Sequence, residues 1–162
     1  MNFENIIKGI IEHPEYKKMK DELHHGQSRY NHSLRVAKFT YYITRKLGLD
    51  YISATRAALL HDFFMEDDFV TDQLSGYKKL KEHPSLAVEN AKTCFTLNKT
   101  EEDAIVSHMF PFNLRLPKTV EGAVVNFTDK SVAIYELSRF KLSATVGVWL
   151  LFIFNFITFS NN

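Results

Sequence analysis

The chain has 162 residues, with 20 Lys and Arg against 19 Asp and Glu and a formal net charge of +1. Hydrophobic residues make up 45% of it, enough for one domain with a real core. The near-balance of charge points to no strong field toward nucleic acid or acidic partners. One cysteine, Cys94, excludes an intrachain disulfide framework and a Cys-rich zinc site. It is expected to be a small core residue.

Residues 1–25 carry many Lys, Glu and His and do not read as a signal peptide. They read as a short amphipathic helix (Phe3, Ile6, Ile7, Ile10, Ile11), broken at His13-Pro14 and followed by a charged segment. His24-His25-Gly26 looks like a turn, and His13, His24 and His25 are expected at the surface. A long helix follows from about Ser28 to Leu47, stopped by Gly48. Its apolar face is expected to run through His32, Val36, Phe39, Ile43 and Leu47.

Asp50 to Asp62 makes the next helix. Ala54, Ala57, Ala58 and His61 share one face at the i, i+3, i+4, i+7 spacing. His61 therefore points toward the core, and Asp62 beside it needs a partner or a cation if buried. Phe63 to Ser75 reads as irregular and acidic, with Glu66, Asp67 and Asp68, and Gly76 marks a turn. Lys78-Lys79-Leu80-Lys81 reads as a solvated basic patch. His83-Pro84 opens a helix, with Pro84 in a first turn that tolerates it and Leu86, Ala87, Asn90 and Cys94 continuing the face.

Thr100 with Asp103 gives a capping-box signal for a helix of about residues 101–110, in which Ala104, Ile105 and His108 share a face. Pro111 and Pro117 bracket a loop. Thr119 starts a helix through about Leu137, and on it Asp129 lies in the apolar stripe of Val125, Val132 and Ala133. No sustained period-two alternation indicates a sheet. The fold class is all-α, a bundle of about six or seven helices plus a hydrophobic C-terminal helix.

That last segment is uncharged from Leu142 to Asn162. Residues 142–159 would span about 27 Å as a helix, close to the hydrocarbon core of a bilayer. Arg139 and Lys141 before it would place the preceding domain in the cytoplasm. The segment reads either as a membrane anchor or as a buried closing helix of the bundle. The expected division is residues 1–24, a domain over 25–137, and 138–162.

Six inward-facing residues of metal-binding type remain: His32, His61, Asp62, His83, His108 and Asp129. They come from five different segments of the chain, and a bundle can converge such side chains on one interior point. Imidazole and carboxylate without thiolate suit one or two divalent ions such as Fe, Mn, Zn, Co or Mg rather than a structural zinc. Such a site suits hydrolysis, because the metal lowers the pKa of bound water and offsets charge on a phosphoryl oxygen. Arg29, Arg35 and Lys130 lie within about a turn of these residues as candidate phosphate clamps, with Arg29 and Lys130 the two assigned to substrate.

The stretches Arg-Tyr-Asn-His-Ser-Leu-Arg-Val-Ala (29–37), Ala-Ala-Leu-Leu-His-Asp (57–62), His-Pro-Ser-Leu-Ala (83–87), Ile-Val-Ser-His-Met (105–109) and Val-Val-Asn-Phe-Thr-Asp-Lys (124–130) together resemble the HD-domain superfamily of metal-dependent phosphohydrolases. The order His, His-Asp, His, His, Asp is similar to that of members that hold two metals. The resemblance implies that His32, His61, Asp62 and Asp129 hold a first metal, and that Asp62 bridges to a second held by His83 and His108. It also implies His61 and Asp62 as the catalytic pair, with Asp62 orienting the attacking hydroxide. The implied substrate is a small phosphate ester, of nucleotide type. Some relatives use the same ligand order in di-iron oxygenases, and a non-catalytic metal-binding signalling domain at the membrane is a third reading. Phe63-Phe64 stands where many members have a small residue and Gly, and Glu66-Asp67 is one position off the acidic pair of guanosine-tetraphosphate hydrolases. The Gly-Tyr-Pro signature of cyclic-di-GMP phosphodiesterases is missing.

Overall fold

A computed structural model describes residues 1–20, 23–24, 27–65, 68 and 76–139. Helix α1 (Phe3–Ile11) starts on the Asn2 side chain, which accepts from the Asn5 N–H. Helix α2 (Pro14–Lys17) runs on into a 3-10 turn, Lys18–Lys20. A two-residue antiparallel ladder then pairs Leu23 with Ser28 and His24 with Gln27. Helix α3 (Arg29–Lys46) is capped by Ser28, α4 (Tyr51–Leu60) by Asp50, and α5 covers Gly76–Cys94. Helix α6 covers Lys99–Ser107 and α7 the residues 120–139. The architecture is an all-α bundle, as the patterning implies.

Helix α3 stops as Gly48 requires. At φ 70° it takes the left-handed conformation, and the N–H groups of Gly48 and Leu49 turn back to the carbonyls of Arg45 and Thr44. Its buried face differs from the expected stripe. Arg29, His32, Ser33, Val36, Ala37, Thr40, Tyr41 and Thr44 are buried, whereas Phe39 and Leu47 are 56% and 60% exposed. Small and hydroxylated side chains allow close helix packing here, and the Thr40 and Thr128 hydroxyls meet at 2.7 Å between α3 and α7. Ala54, Ala57 and Ala58 on α4 are fully buried, as their spacing implies.

Two expected helix starts are displaced. Helix α5 begins at Gly76 and passes through Pro84 instead of opening there. An interior proline lacks the N–H for the carbonyl four residues earlier, but its ring is buried on the same face as His83, Ala87 and Ala91. At α6 the capping box belongs to Asn98 and Glu101, not to Thr100 and Asp103. Asp103 works at the next junction. Its Oδ2 accepts from the backbone N–H groups of Lys118 and Thr119 and from the Thr119 hydroxyl, at 2.9–3.0 Å.

The core joins Ile7 and Ile10 of α1, Tyr16 and Met19, Val36 and Ala37 of α3, Leu59 and Leu60 of α4, Ala87 and Ala91 of α5, Ala104 and Ile105 of α6, and Val125 and Val132 of α7. The N-terminal elements thus pack on the same core as the later helices. Tyr16 is fully buried and donates to the Leu59 carbonyl at 2.9 Å, bracing the last turn of α4 just ahead of His61. Cys94 is partly buried against this core. Among the described residues no helix is long and apolar enough to cross a membrane. The expected anchor, 142–159, lies outside the described residues, as do Glu66, Asp67 and His25.

Candidate metal centre

His61 and His108 occupy equivalent places, each at the C-cap of its helix. There the helix carbonyls have run out of intrahelical donors. Each ring uses one: Nδ1–H of His61 donates to the Ala58 carbonyl and Nδ1–H of His108 to the Ile105 carbonyl, both at 2.7 Å. With Nδ1 protonated, each ring turns Nε2 inward. The carbonyl of His108 is itself held from α7, where the Asn126 amide and the Lys130 ammonium donate to it at 2.6 and 2.8 Å.

The six residues singled out in the sequence converge. His32 Nε2 lies 3.0 Å from Asp129 Oδ1, and His61 Nε2 lies 3.5 Å from both Asp129 Oδ1 and Asp62 Oδ2. The other oxygen of Asp62, Oδ1, lies 3.3 Å from His83 Nε2 and 3.5 Å from His108 Nε2. His83 and His108 face each other, Nε2 to Nε2, at 3.0 Å. All six side chains are buried. One oxygen of Asp62 thus addresses the His61 side of the cluster and the other the His83–His108 side.

Electrostatics follow the same division. Burial pushes the His32 pKa down, but hydrogen bonds to Asp129 and Glu136 outweigh it and carry the value up to about 10. Burial also opposes ionisation of Asp62 and Asp129, yet the surrounding imidazoles hold both carboxyls below the usual carboxylate range. Burial pushes His108 down, favouring a neutral ring with a free lone pair. Two ionised carboxylates enclosed by imidazoles suit a divalent cation.

One atom tests that fit. His61 Nε2 is buried and has no hydrogen-bond partner among the described residues, although two carboxylate oxygens flank it at 3.5 Å. An orphaned buried nitrogen is rare unless something else satisfies it. Three sets of donor atoms here each lie within 4.8 Å of one another: His32, His61 and Asp62; His61, His108 and Asp129; and Asp62, His83 and His108. These residues fit a metal in donor type, burial and spacing.

The two residues expected at the substrate are placed differently. Lys130 lines a cavity of about 470 Å³ together with Asp62, His83, His108 and Asp129. Burial lowers its pKa. Met109, Phe112, Ile134 and Leu137 form an apolar wall of this cavity. Arg29 is buried, donates to the Phe64 carbonyl at 2.7 Å and stacks on the Phe64 ring at 3.9 Å. The Phe64 ring in turn packs 5.1 Å from the His83 ring. Arg29 therefore braces the segment that follows Asp62, and it is not among the described residues lining the cavity.

Sequence reasoning missed Glu136. It is buried, accepts from His32 Nδ1 at 2.9 Å, and its other oxygen pairs with Arg35. The signal was there: Glu136 lies seven residues after Asp129, on the same face of α7. Asn126 was missed as well, since its amide seals the end of α6 through the carbonyls of His108 and Phe110.

Fold and site together define a class, an all-α bundle whose interior holds a His/Asp metal-binding cluster drawn from five helical segments. The chain belongs to the HD domain family, whose model matches residues 29–134. Ribonuclease Y of Ureaplasma parvum is 30% identical over 129 residues, covering 80% of this chain and 24% of that protein. Ribonuclease Y 1 of Levilactobacillus brevis is 39% identical over 89 residues, covering 49% of this chain and 17% of the relative. Ribonuclease Y of Mycoplasma capricolum is 38% identical over 89 residues, covering 55% and 15%. The chain thus spans about a quarter or less of the length of these relatives. No solved structure matches it.

Proposed function

We propose that the chain is a metal-dependent phosphohydrolase that cleaves a phosphate ester of nucleotide type. The observation that carries this reading is the two-sided placement of Asp62, with the orphaned Nε2 of His61 beside it. His32, His61, Asp62 and Asp129 would hold one divalent ion, and Asp62, His83 and His108 a second. Such ions supply an acidified water and offset charge on a phosphoryl oxygen.

The chain's own residues do the rest. In this reading His61 would act through the ion it holds, and Asp62 would orient the attacking water as a hydrogen-bond acceptor. Lys130, on the cavity wall, would offer a positive charge to a phosphate. The apolar wall excludes water and offers a surface for the rest of the substrate. The relatives carry the name ribonuclease, which brings ribonucleotide phosphodiesters into the substrate class. The net charge of +1 favours a short or mononucleotide substrate over a long polyanion, which calls for extended basic surface.

Elemental analysis of wild type and Asp62→Ala, paired with hydrolysis assays, tests this. The panel contains a generic phosphodiester, nucleotides and a short RNA. Metal in wild type, lost in the variant together with hydrolysis, supports the reading. Iron without hydrolysis of any substrate would turn it toward oxygen chemistry, and wild type that takes up no divalent ion would sink it.

A further inference from the structure

His61 and His108 are fixed by free carbonyls at the ends of their own helices, but His32 has no such resource. It is the fourth residue of the 18-residue helix α3, where neighbouring carbonyls are taken up by the helix ladder. To present Nε2 to the centre, it needs an acceptor for Nδ1–H from elsewhere. A carboxylate stands at that nitrogen: Glu136, 2.9 Å away on α7. Glu136 is itself held: its side chain is 2% exposed, and its second oxygen is engaged by the Nη1 of Arg35, one turn along α3 from His32.

We infer that Glu136 is a positioning residue for the metal centre, holding His32 as an Nε2 donor, with Arg35 locking Glu136 in turn. This rests on the metal-binding part of the function proposed above and not on hydrolysis. A carboxylate behind a ligating imidazole fixes the ring and raises its basicity, and removing such a partner costs metal affinity. The arrangement also ties α3 to α7 around the same atoms that must converge on the ion.

The test is metal affinity of the full chain, read by titration with Co²⁺ and Zn²⁺, with metal-free melting recorded alongside. Glu136→Ala is expected to lower the affinity of the tightest site by about 10- to 100-fold. Glu136→Gln, whose amide oxygen still accepts from Nδ1–H, is expected to recover most of that loss. Arg35→Ala is expected to fall between Glu136→Gln and Glu136→Ala, and it supplies the test if Glu136→Ala does not fold. In zinc-loaded protein labelled with ¹⁵N-histidine, the His32 ring is expected as the Nδ1–H tautomer. Wild-type affinity in both Glu136→Ala and Arg35→Ala, or a glutamine variant as weak as the alanine one, overturns the role of Glu136. Wild type that binds neither ion removes the metal centre itself and the inference with it, so the two failures are told apart.

Discussion

His32 carries an acid–base consequence of its surroundings. Without metal its folded-state pKa is about 10, against an ordinary value of 6.5. The folded chain therefore holds this proton more tightly than the unfolded one. Its contribution to stability is complete below about pH 6.5 and is lost as pH rises through about 10. Asp62 and Asp129 act in the opposite sense. Their pKa values lie below the ordinary 3.8, so their contribution is present above that pH and is lost as pH falls beneath it. Melting of metal-free protein from pH 6 to 10 should show a decline that flattens in His32→Gln. A metal held by His32, as proposed, would reverse the picture by replacing the proton there: uptake near pH 8 should release protons, and affinity should rise with pH. Calorimetry in buffers of different ionisation enthalpy reads this directly. The six converging residues were legible at this scale because the four histidines and Asp129 sit in register with apolar neighbours and Asp62 adjoins His61. Glu136 carried only the weaker signal of sharing a helix face with Asp129, which does not single it out until His32 is found opposite it.

Among the helices, the junctions carry the position of the site. Asp103 on α6 gathers three donors from Lys118 and Thr119, just ahead of α7, and α7 reaches back through Asn126 and Lys130 to the end of α6. Gly122 sits inside this joint. A Cβ there would come within 3.1 Å of Asp103 Oδ2 and Thr119 Oγ1, so the absence of a side chain lets the two helices close. Asp103→Ala should cost about 1–2 kcal/mol, the scale of a lost N-cap, measured by denaturant titration. Tyr16→Phe should cost about 1 kcal/mol by removing the buried bond to the Leu59 carbonyl. Burial raises the Tyr16 pKa well above 10, so the tyrosine form should lose further stability above that pH while the phenylalanine variant does not. Helix identity was readable from periodicity; helix starts were less so. Pro84 looked like a first-turn residue because local rules place it there, and packing of its ring overrode them. Phe39 and Leu47 match an apolar stripe by size, whereas close helix packing buries the small side chains Ser33, Ala37 and Thr40 instead, with Thr40 meeting Thr128 of α7.

Across the whole molecule, the described helices share one core, and the cluster lies where α3, α4, α5, α6 and α7 meet. Saturating divalent metal should raise the melting temperature, and a chelator should return it to the metal-free value, by an amount set by affinity and ion concentration. Asp62→Ala should abolish that shift while its own metal-free melting stays cooperative. The donors are far apart along the chain, with His32 and Asp129 separated by 97 positions. An unfolded chain therefore offers an ion little more than the neighbouring pair His61 and Asp62, and the full set exists only after long loops have closed. An ion should leave the rate of folding almost untouched and slow the rate of unfolding, because its grip comes after the barrier and not before it. Stopped-flow traces with and without metal would show one limb of the chevron moving and the other standing still. The centre would act as a latch that closes once the molecule has assembled itself.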